Sequence, residues 1–195
     1  MSACLQPSDA LIVVDVQRDF LPGGALAVSH GDQIIPVVNR LLTRFSCKVF
    51  TRDWHPADHL SFSAQPAFTD KSWPPHCVQN TPGAEFHPDV RADLADRIVS
   101  KGADPKQEAY SGFQGTDLAS WLQARMVKRV FVAGLATDYC VKATALDAKA
   151  AGFSVFVVTD AVRGVDQPAG SAAAALDDLE QAGVRLTTSQ EMLKT

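Results

Sequence analysis

The sequence predicts an α/β fold, a parallel sheet with helices on both faces. Two observations predict it. Short apolar runs alternate with segments whose apolar residues recur at helical spacing. Four reactive side chains, Asp15, Asp53, Lys101 and Cys140, each come at or soon after the end of such a run. In a parallel sheet those ends share one edge, and open α/β sheets hold their ligands there.

The elements follow in order. Ala10–Val14 reads as the first strand, and Ile34, Ile35, Val38, Leu41, Leu42 and Phe45 as the apolar stripe of a helix. Lys48–Arg52 and Arg97–Ser100 read as strands, then 116–126 as a helix carrying Leu118, Trp121 and Leu122. Arg129–Ala133 is the fourth strand, and a helix over 138–151 is closed by Gly152. Ser154–Thr159 is the fifth strand, 169–182 a helix closed by Gly183, and Val184–Thr187 a last short strand.

Residues 54–96 break the alternation. They hold six of the eleven prolines, two of the three tryptophans and four of the five histidines. A long irregular stretch of that composition reads as a functional excursion within one domain spanning 1–195.

Bulk properties narrow the function classes. Charged residues are 21% of the chain and its net charge is −4, with no basic stripe for nucleic acid. No apolar run approaches the roughly 20 residues that cross a bilayer. Residues 1–9 lack the basic and apolar parts of a signal peptide. Cys4, Cys47, Cys77 and Cys140 form no closely spaced pair. A cytoplasmic protein with reduced thiols is expected. No interface stripe stands apart from the core pattern, so a homo-oligomer is neither marked nor excluded.

Cys140 joins a strand to a helix in Gly134-Leu-Ala-Thr-Asp-Tyr-Cys140. Thr137 or Asp138 is the expected N-cap. Free amides and the helix dipole there would favour a thiolate and could bind an oxyanion. The bland alternative is a small buried apolar residue. Asp15 needs a partner at its strand end, and Lys101 is the natural one. The pair is either a structural salt bridge or a general base with the cation that favours the ionised forms of Asp15 and Cys140.

Asp53 and His55 lie two residues apart, on one side of an extended chain, with His59 four residues on. His76 follows two prolines. One Asp with two or three His suits zinc, iron or manganese, although the spacing matches no standard metal motif. His30 and His87 lack such partners and read as structural or surface residues.

These residues carry a resemblance. Leu11-Ile-Val-Val-Asp-Val-Gln-Arg-Asp-Phe20, Arg52-Asp-Trp-His-Pro56, Trp73-Pro-Pro-His-Cys-Val78, Lys101-Gly102, Tyr110-Ser-Gly-Phe113 and Gly134-Leu-Ala-Thr-Asp-Tyr-Cys-Val141 follow in an order that closely resembles the nicotinamidases, also called pyrazinamidases, among the isochorismatase-like cysteine hydrolases. The resemblance implies a six-stranded parallel sheet in a three-layer α/β/α fold, and hydrolysis of nicotinamide to nicotinate and ammonia through a Cys140 thioester. It implies a catalytic set of Asp15, Lys101 and Cys140, with Ala136 and Cys140 supplying oxyanion-hole amides and a cis peptide before Ala136. One divalent metal would be held by Asp53, His55 and His76, with His59 a further ligand in part of the family. Phe20 and Trp73 would pack the pyridine ring, with Gln17 and Tyr110 lining the same pocket. Arg18 and Leu21-Pro22 depart from the common pattern beside that pocket, where they bear on substrate preference. The rivals are a hydrolase of the same fold acting on isochorismate or an N-carbamoyl compound, a silent binding module and a redox-sensing thiol protein. The metal set, the intact reactive set and the lack of a resolving cysteine near Cys140 argue against each in turn.

Overall fold

Six parallel strands form one sheet in the order β3-β2-β1-β4-β5-β6. The structure, a computed structural model, describes residues 5–68, 70 and 72–193, so Cys4 lies outside the described residues. The strands are β1 (Asp9–Val14), β2 (Cys47–Asp53), β3 (Arg97–Lys101), β4 (Arg129–Leu135), β5 (Ser154–Arg163) and β6 (Arg185–Thr187). Both central strands, β1 and β4, are buried along their whole length. Helices cover each face, so both faces of these strands are apolar and they read as continuous apolar runs.

Alternate residues sort into two cores. Leu11, Val13, Phe50, Phe131 and Ala133 pack with α1 (Ile35–Leu42) and with Met192 of α5 (Ser189–Leu193). Ile12, Val14, Val49, Val99 and Val132 pack with α2 (Leu118–Ala124), α3 (Lys142–Ala150) and α4 (Ser171–Gln181). Thr51, Asp53 and Lys101 share the parity of the second set, so their side chains leave the sheet on that face.

The chain runs outward from β1 to β3, then returns to place β4 beside β1. The strand order therefore reverses between β1 and β4, where a crevice opens beyond the strand ends. Gly134 belongs to that junction. Its φ is +115°, and a Cβ there would lie 2.0 Å from the Val14 carbonyl oxygen. Only glycine lets the two strands stay paired next to Asp15.

Several boundaries differ from the sequence pattern, each for a local reason. A 3-10 turn over Gly31–Ile34 leads into the helix expected from the stripe Ile34 to Phe45, and the α-helix stops at Leu42. Phe45 still packs against Phe131, with ring centroids 5.3 Å apart. β5 continues to Arg163 through a bulge opposite Val132 to Gly134. The polar pair Thr159-Asp160 in that bulge hides the continuation. Asp160 accepts bonds from the Ser189 amide (2.7 Å) and hydroxyl (2.5 Å), which fixes the start of α5. That helix has five residues, too few to show a period.

The expected helix over 138–151 divides in two. Residues Thr137–Val141 form a wide π-type turn, in which the Ala136 carbonyl accepts from both Tyr139 (3.1 Å) and Val141 (3.0 Å). Neither Thr137 nor Asp138 caps it through a side chain. Such turns recur at functional sites because they re-aim one residue out of helical register.

The stretch 54–96 is irregular as expected, apart from short 3-10 turns at Pro82–Ala84 and Ala92–Leu94. It doubles back on itself. The His55 amide donates to the Cys77 carbonyl (3.1 Å), and the Gln79 amide donates to the His55 carbonyl (2.8 Å). That pairing sets His76 beside the end of β2. No helix is long and apolar enough to cross a membrane among the described residues.

Candidate active site

The ends of β1, β2 and β3 and the turn after β4 meet around one buried ammonium. Lys101 Nζ lies 2.8 Å from Asp15 Oδ2 and 3.2 Å from Cys140 Sγ, and also contacts Asp53 Oδ1. Parallel pairing sets Asp53 directly opposite Lys101. Asp15, Lys101, Asp53 and Cys140 are all buried. Asp15 has φ +48°, a left-handed conformation that Asp tolerates better than most residues.

The two oxygens of Asp15 differ. Oδ1 accepts the Thr51 hydroxyl at 2.6 Å. Oδ2 has the Lys101 charge beside it but no aligned hydrogen-bond donor. The contact is ionic, with a lone pair still open. Carboxylate oxygens of Asp15 and Asp53 and the Cys140 sulfur all lie within 4.8 Å of one another. Asp15 is therefore placed to exchange a proton with the thiol.

Burial raises the carboxyl of Asp15, against the pull of Lys101. Burial also pushes the Cys140 thiol well above its ordinary value, with Lys101 lowering it and Asp15 raising it. Lys101 favours the ionised thiol, as the sequence reading expects, but burial opposes it more strongly. Burial opposes the charge on Lys101 too, but Asp15 and Asp53 hold it well above the usual range.

A second group adjoins the first. Donor atoms of Asp53, His55 and His76 lie within 4.8 Å of one another. His55 Nδ1 donates to the Gly102 carbonyl (2.9 Å) and His76 Nδ1 to the Pro74 carbonyl (2.8 Å). Each ring thus turns an Nε2 lone pair towards Asp53 Oδ2, at 3.5 Å and 3.9 Å, so that the three acceptors converge as they would on a shared cation. Imidazoles oriented through Nδ1 in this way are typical metal ligands. A Cβ on Gly102 would meet His55 Cε1 at 2.4 Å, so the ring and the glycine are fitted together. Burial pushes His76 down to about 4 and leaves it neutral. Burial opposes charge on His55 as well, but the Asp53 carboxylate beside it prevails and raises it. The opposite holds at Asp53, where Lys101 and His55 outweigh burial and keep the carboxyl well below the usual range.

His59 is a neighbour of this set rather than a member. Its ring centroid is 4.3 Å from that of His55. Both its nitrogens are engaged, Nδ1 with Ser61 Oγ (2.8 Å) and Nε2 with the Gln107 carbonyl (3.3 Å).

Both groups open into one cavity. Phe20, Trp73, Tyr110, Ala136 and Cys140 line it, with Asp53, His55 and His76. The Trp73 indole donates to the Tyr110 hydroxyl at 3.0 Å, and the peptide before Ala136 is cis. Gln17 is placed differently from the sequence expectation and does not line the cavity. It is fully buried, accepts the Asp53 amide (2.7 Å) and donates to the carbonyls of Asp53 (2.8 Å) and Ala84 (2.9 Å). Its side chain extends the sheet by one rung and holds the backbone that carries Asp53.

Sequence reasoning missed Thr51, Asp19 and the lining residues Leu26, Glu108, Tyr139 and Val165. Asp19 accepts the Cys77 amide at 2.7 Å and so ties the loop after β1 to the histidine stretch. Thr51 could have been found: its place two residues before Asp53 puts it on the same face of β2.

Comparison with known proteins shows the family. The isochorismatase domain family matches residues 9–191. The chain belongs to that family. The nicotinamidase/pyrazinamidase of Mycobacterium tuberculosis is 42% identical, over 92% of this chain and 98% of that protein. The pyrazinamidase of Pyrococcus horikoshii, solved in complex with zinc, is 49% identical with a TM-score of 0.82, over 93% of this chain and 99% of that one. The PnC1 protein of L. infantum, solved in complex with nicotinate, is 35% identical with a TM-score of 0.89, over 99% of both chains.

Proposed function

We propose that the protein is a nicotinamidase, hydrolysing nicotinamide to nicotinate and ammonia through a thioester on Cys140. The observation that carries the reading is the convergence on one ammonium of a buried carboxylate with an open lone pair and a thiol, beside a metal-ligand set in the same cavity. Pyrazinamide, a ring amide of similar size, is the expected second substrate.

Asp15 Oδ2 takes the thiol proton and Lys101 stabilises the thiolate that forms. The sulfur attacks the amide carbon. The amides of Ala136 and Cys140 receive the negative charge that develops on the carbonyl oxygen. Asp15 returns the proton to the departing ammonia, and the C–N bond breaks to leave the thioester. A water, deprotonated by Asp15, then attacks the thioester carbon. Nicotinate leaves and the thiol is restored. The raised carboxyl of Asp15 suits a group that must both accept and give a proton.

Phe20 and Trp73 hold the flat ring, and Tyr110 steadies Trp73 through the indole bond. Asp53, His55 and His76 would hold a divalent metal, with zinc, iron and manganese all compatible with these donors. Bound there, the metal would supply a Lewis-acid contact that fixes the ring nitrogen.

Conversion of Cys140 to Ala should abolish ammonia release from nicotinamide while the circular dichroism spectrum stays unchanged. Substantial turnover by that variant would overturn the reading.

A further inference from the structure

Asp138 is close to the reacting thiol, yet its carboxylate turns away from the cavity. Oδ1 accepts the Val165 amide at 2.9 Å, and Oδ2 accepts the Asp166 amide at 2.8 Å and the Ser171 hydroxyl at 2.6 Å. All three donors belong to the loop between β5 and α4 or to the first residue of α4. The next residue adds a fourth tie, with the Tyr139 hydroxyl donating to the Gln167 carbonyl at 3.0 Å. Gly164 leaves room for the contact, since a Cβ there would lie 3.1 Å from Asp138 Oδ1 and 2.5 Å from the Ala172 Cβ. At the far end the loop ties to itself and to α4, with Asp166 Oδ1 accepting the amides of Gly170 (2.9 Å) and Ala172 (3.1 Å).

Two residues at this junction, Tyr139 and Val165, line the substrate cavity, whereas Asp138 does not. Tyr139 also meets Trp73 edge to face, with centroids 4.9 Å apart. The wall over the ring is thus a loop on one side and the nucleophile turn on the other, joined by a carboxylate. Hydrogen bonds to a carboxylate are among the stronger ones, and three on one group hold a loop firmly.

We propose that Asp138 is a positioning residue that clasps the β5–α4 loop to the turn bearing Cys140 and so fixes the wall of the cavity that faces the ring. The inference rests on the nicotinamidase reading for its substrate, but not for the clasp itself.

The test uses the full chain with Asp138→Asn, in which one acceptor oxygen becomes a donor facing other donors. Hydrogen exchange at the Val165 and Asp166 amides should quicken by about tenfold or more, without change in the β1 and β4 amides. KM for nicotinamide should rise by about tenfold, with kcat falling less than KM rises. A ring-methylated nicotinamide should gain relative to nicotinamide, because the wall yields. Ser171→Ala, which keeps both backbone bonds, should move all three readouts the same way by about threefold, and it carries the test alone if Asp138→Asn does not fold. Unchanged exchange at Val165 and Asp166 overturns the clasp. A loss confined to kcat overturns the wall and assigns Asp138 to the nucleophile turn. If the wild-type protein releases no ammonia from nicotinamide, the functional reading falls and hydrogen exchange alone decides the clasp.

Discussion

Thr51 decides which oxygen of Asp15 faces the thiol. Its hydroxyl occupies Oδ1 at 2.6 Å and leaves Oδ2 open beside Lys101 and Cys140. Thr51→Val keeps the shape and removes the bond, so the carboxylate can rotate and share its oxygens. We expect kcat/KM for nicotinamide to fall by about tenfold, and Thr51→Ser to restore most of it. A Val variant with full activity would show that Asp15 needs no such support. At this scale the sequence was partly legible. Asp15, Lys101, Cys140 and Asp53 could be singled out because their residue types are scarce near strand ends and carry chemistry, and His55 and His76 because histidines gather in one irregular stretch. Thr51 and Asp19 carry no such mark, and Asp138 read as a helix cap. Their side chains act on backbone or on other side chains far along the chain, and one-dimensional spacing does not encode those distances.

At the scale of elements, the pairing of β1 with β4 positions the crevice. The other ends of these two strands are held by Asp9 and Arg129. Arg129 reaches both Asp9 oxygens, Nε at 2.7 Å and a terminal nitrogen at 2.5 Å, with both residues buried. Asp9→Ala would take this two-pronged carboxylate contact from a buried guanidinium, which costs roughly 3 kcal/mol and lowers Tm by about 10 °C. Activity per folded molecule should persist, since the pair lies at the strand ends remote from the site. Calorimetry and an ammonia assay below the transition check both halves. Strand positions were legible because parallel strands covered on both faces are continuous apolar runs. The bulge in β5 and the short α5 were not, since the bulge falls at a polar pair and α5 is anchored by one carboxylate, Asp160, acting across 29 residues.

For the whole molecule, acid should act first at the histidines. Burial holds His76 at about 4, below the ordinary imidazole value of 6.5. Between those values the unfolded chain binds a proton that the folded chain refuses, so stability falls as pH falls through that window. His55 is raised, so its favourable contribution is fully present below 6.5 and is lost above it, as pH climbs through the folded value. The two windows barely overlap. Urea midpoints of the metal-free protein should drop from pH 6.5 to 4, and His76→Asn should flatten that slope. Metal affinity should weaken over the same range, because the ligands must be unprotonated. A slope left unchanged by His76→Asn would contradict the burial seen at His76. The parallel arrangement and the gathering of strand ends could be read from the chain. The placement of His59 just outside the metal set could not, because it depends on Ser61 and Gln107 claiming its nitrogens.

One carboxylate belongs to both halves of the cavity. Asp53 gives Oδ1 to Lys101 and turns Oδ2 to His55 and His76. Metal loading and the charge of the reacting set are therefore thermodynamically linked, and the linkage is reciprocal. A cation drawn to Oδ2 weakens the hold of Asp53 on Lys101 and frees more of that ammonium's field for the thiol. By the same free energy, the ammonium must weaken the metal. Lys101→Met should then bind zinc more tightly than the wild type in competition with a chelator, even as it loses amidase activity. Equal affinities would mean that the two oxygens of Asp53 act independently.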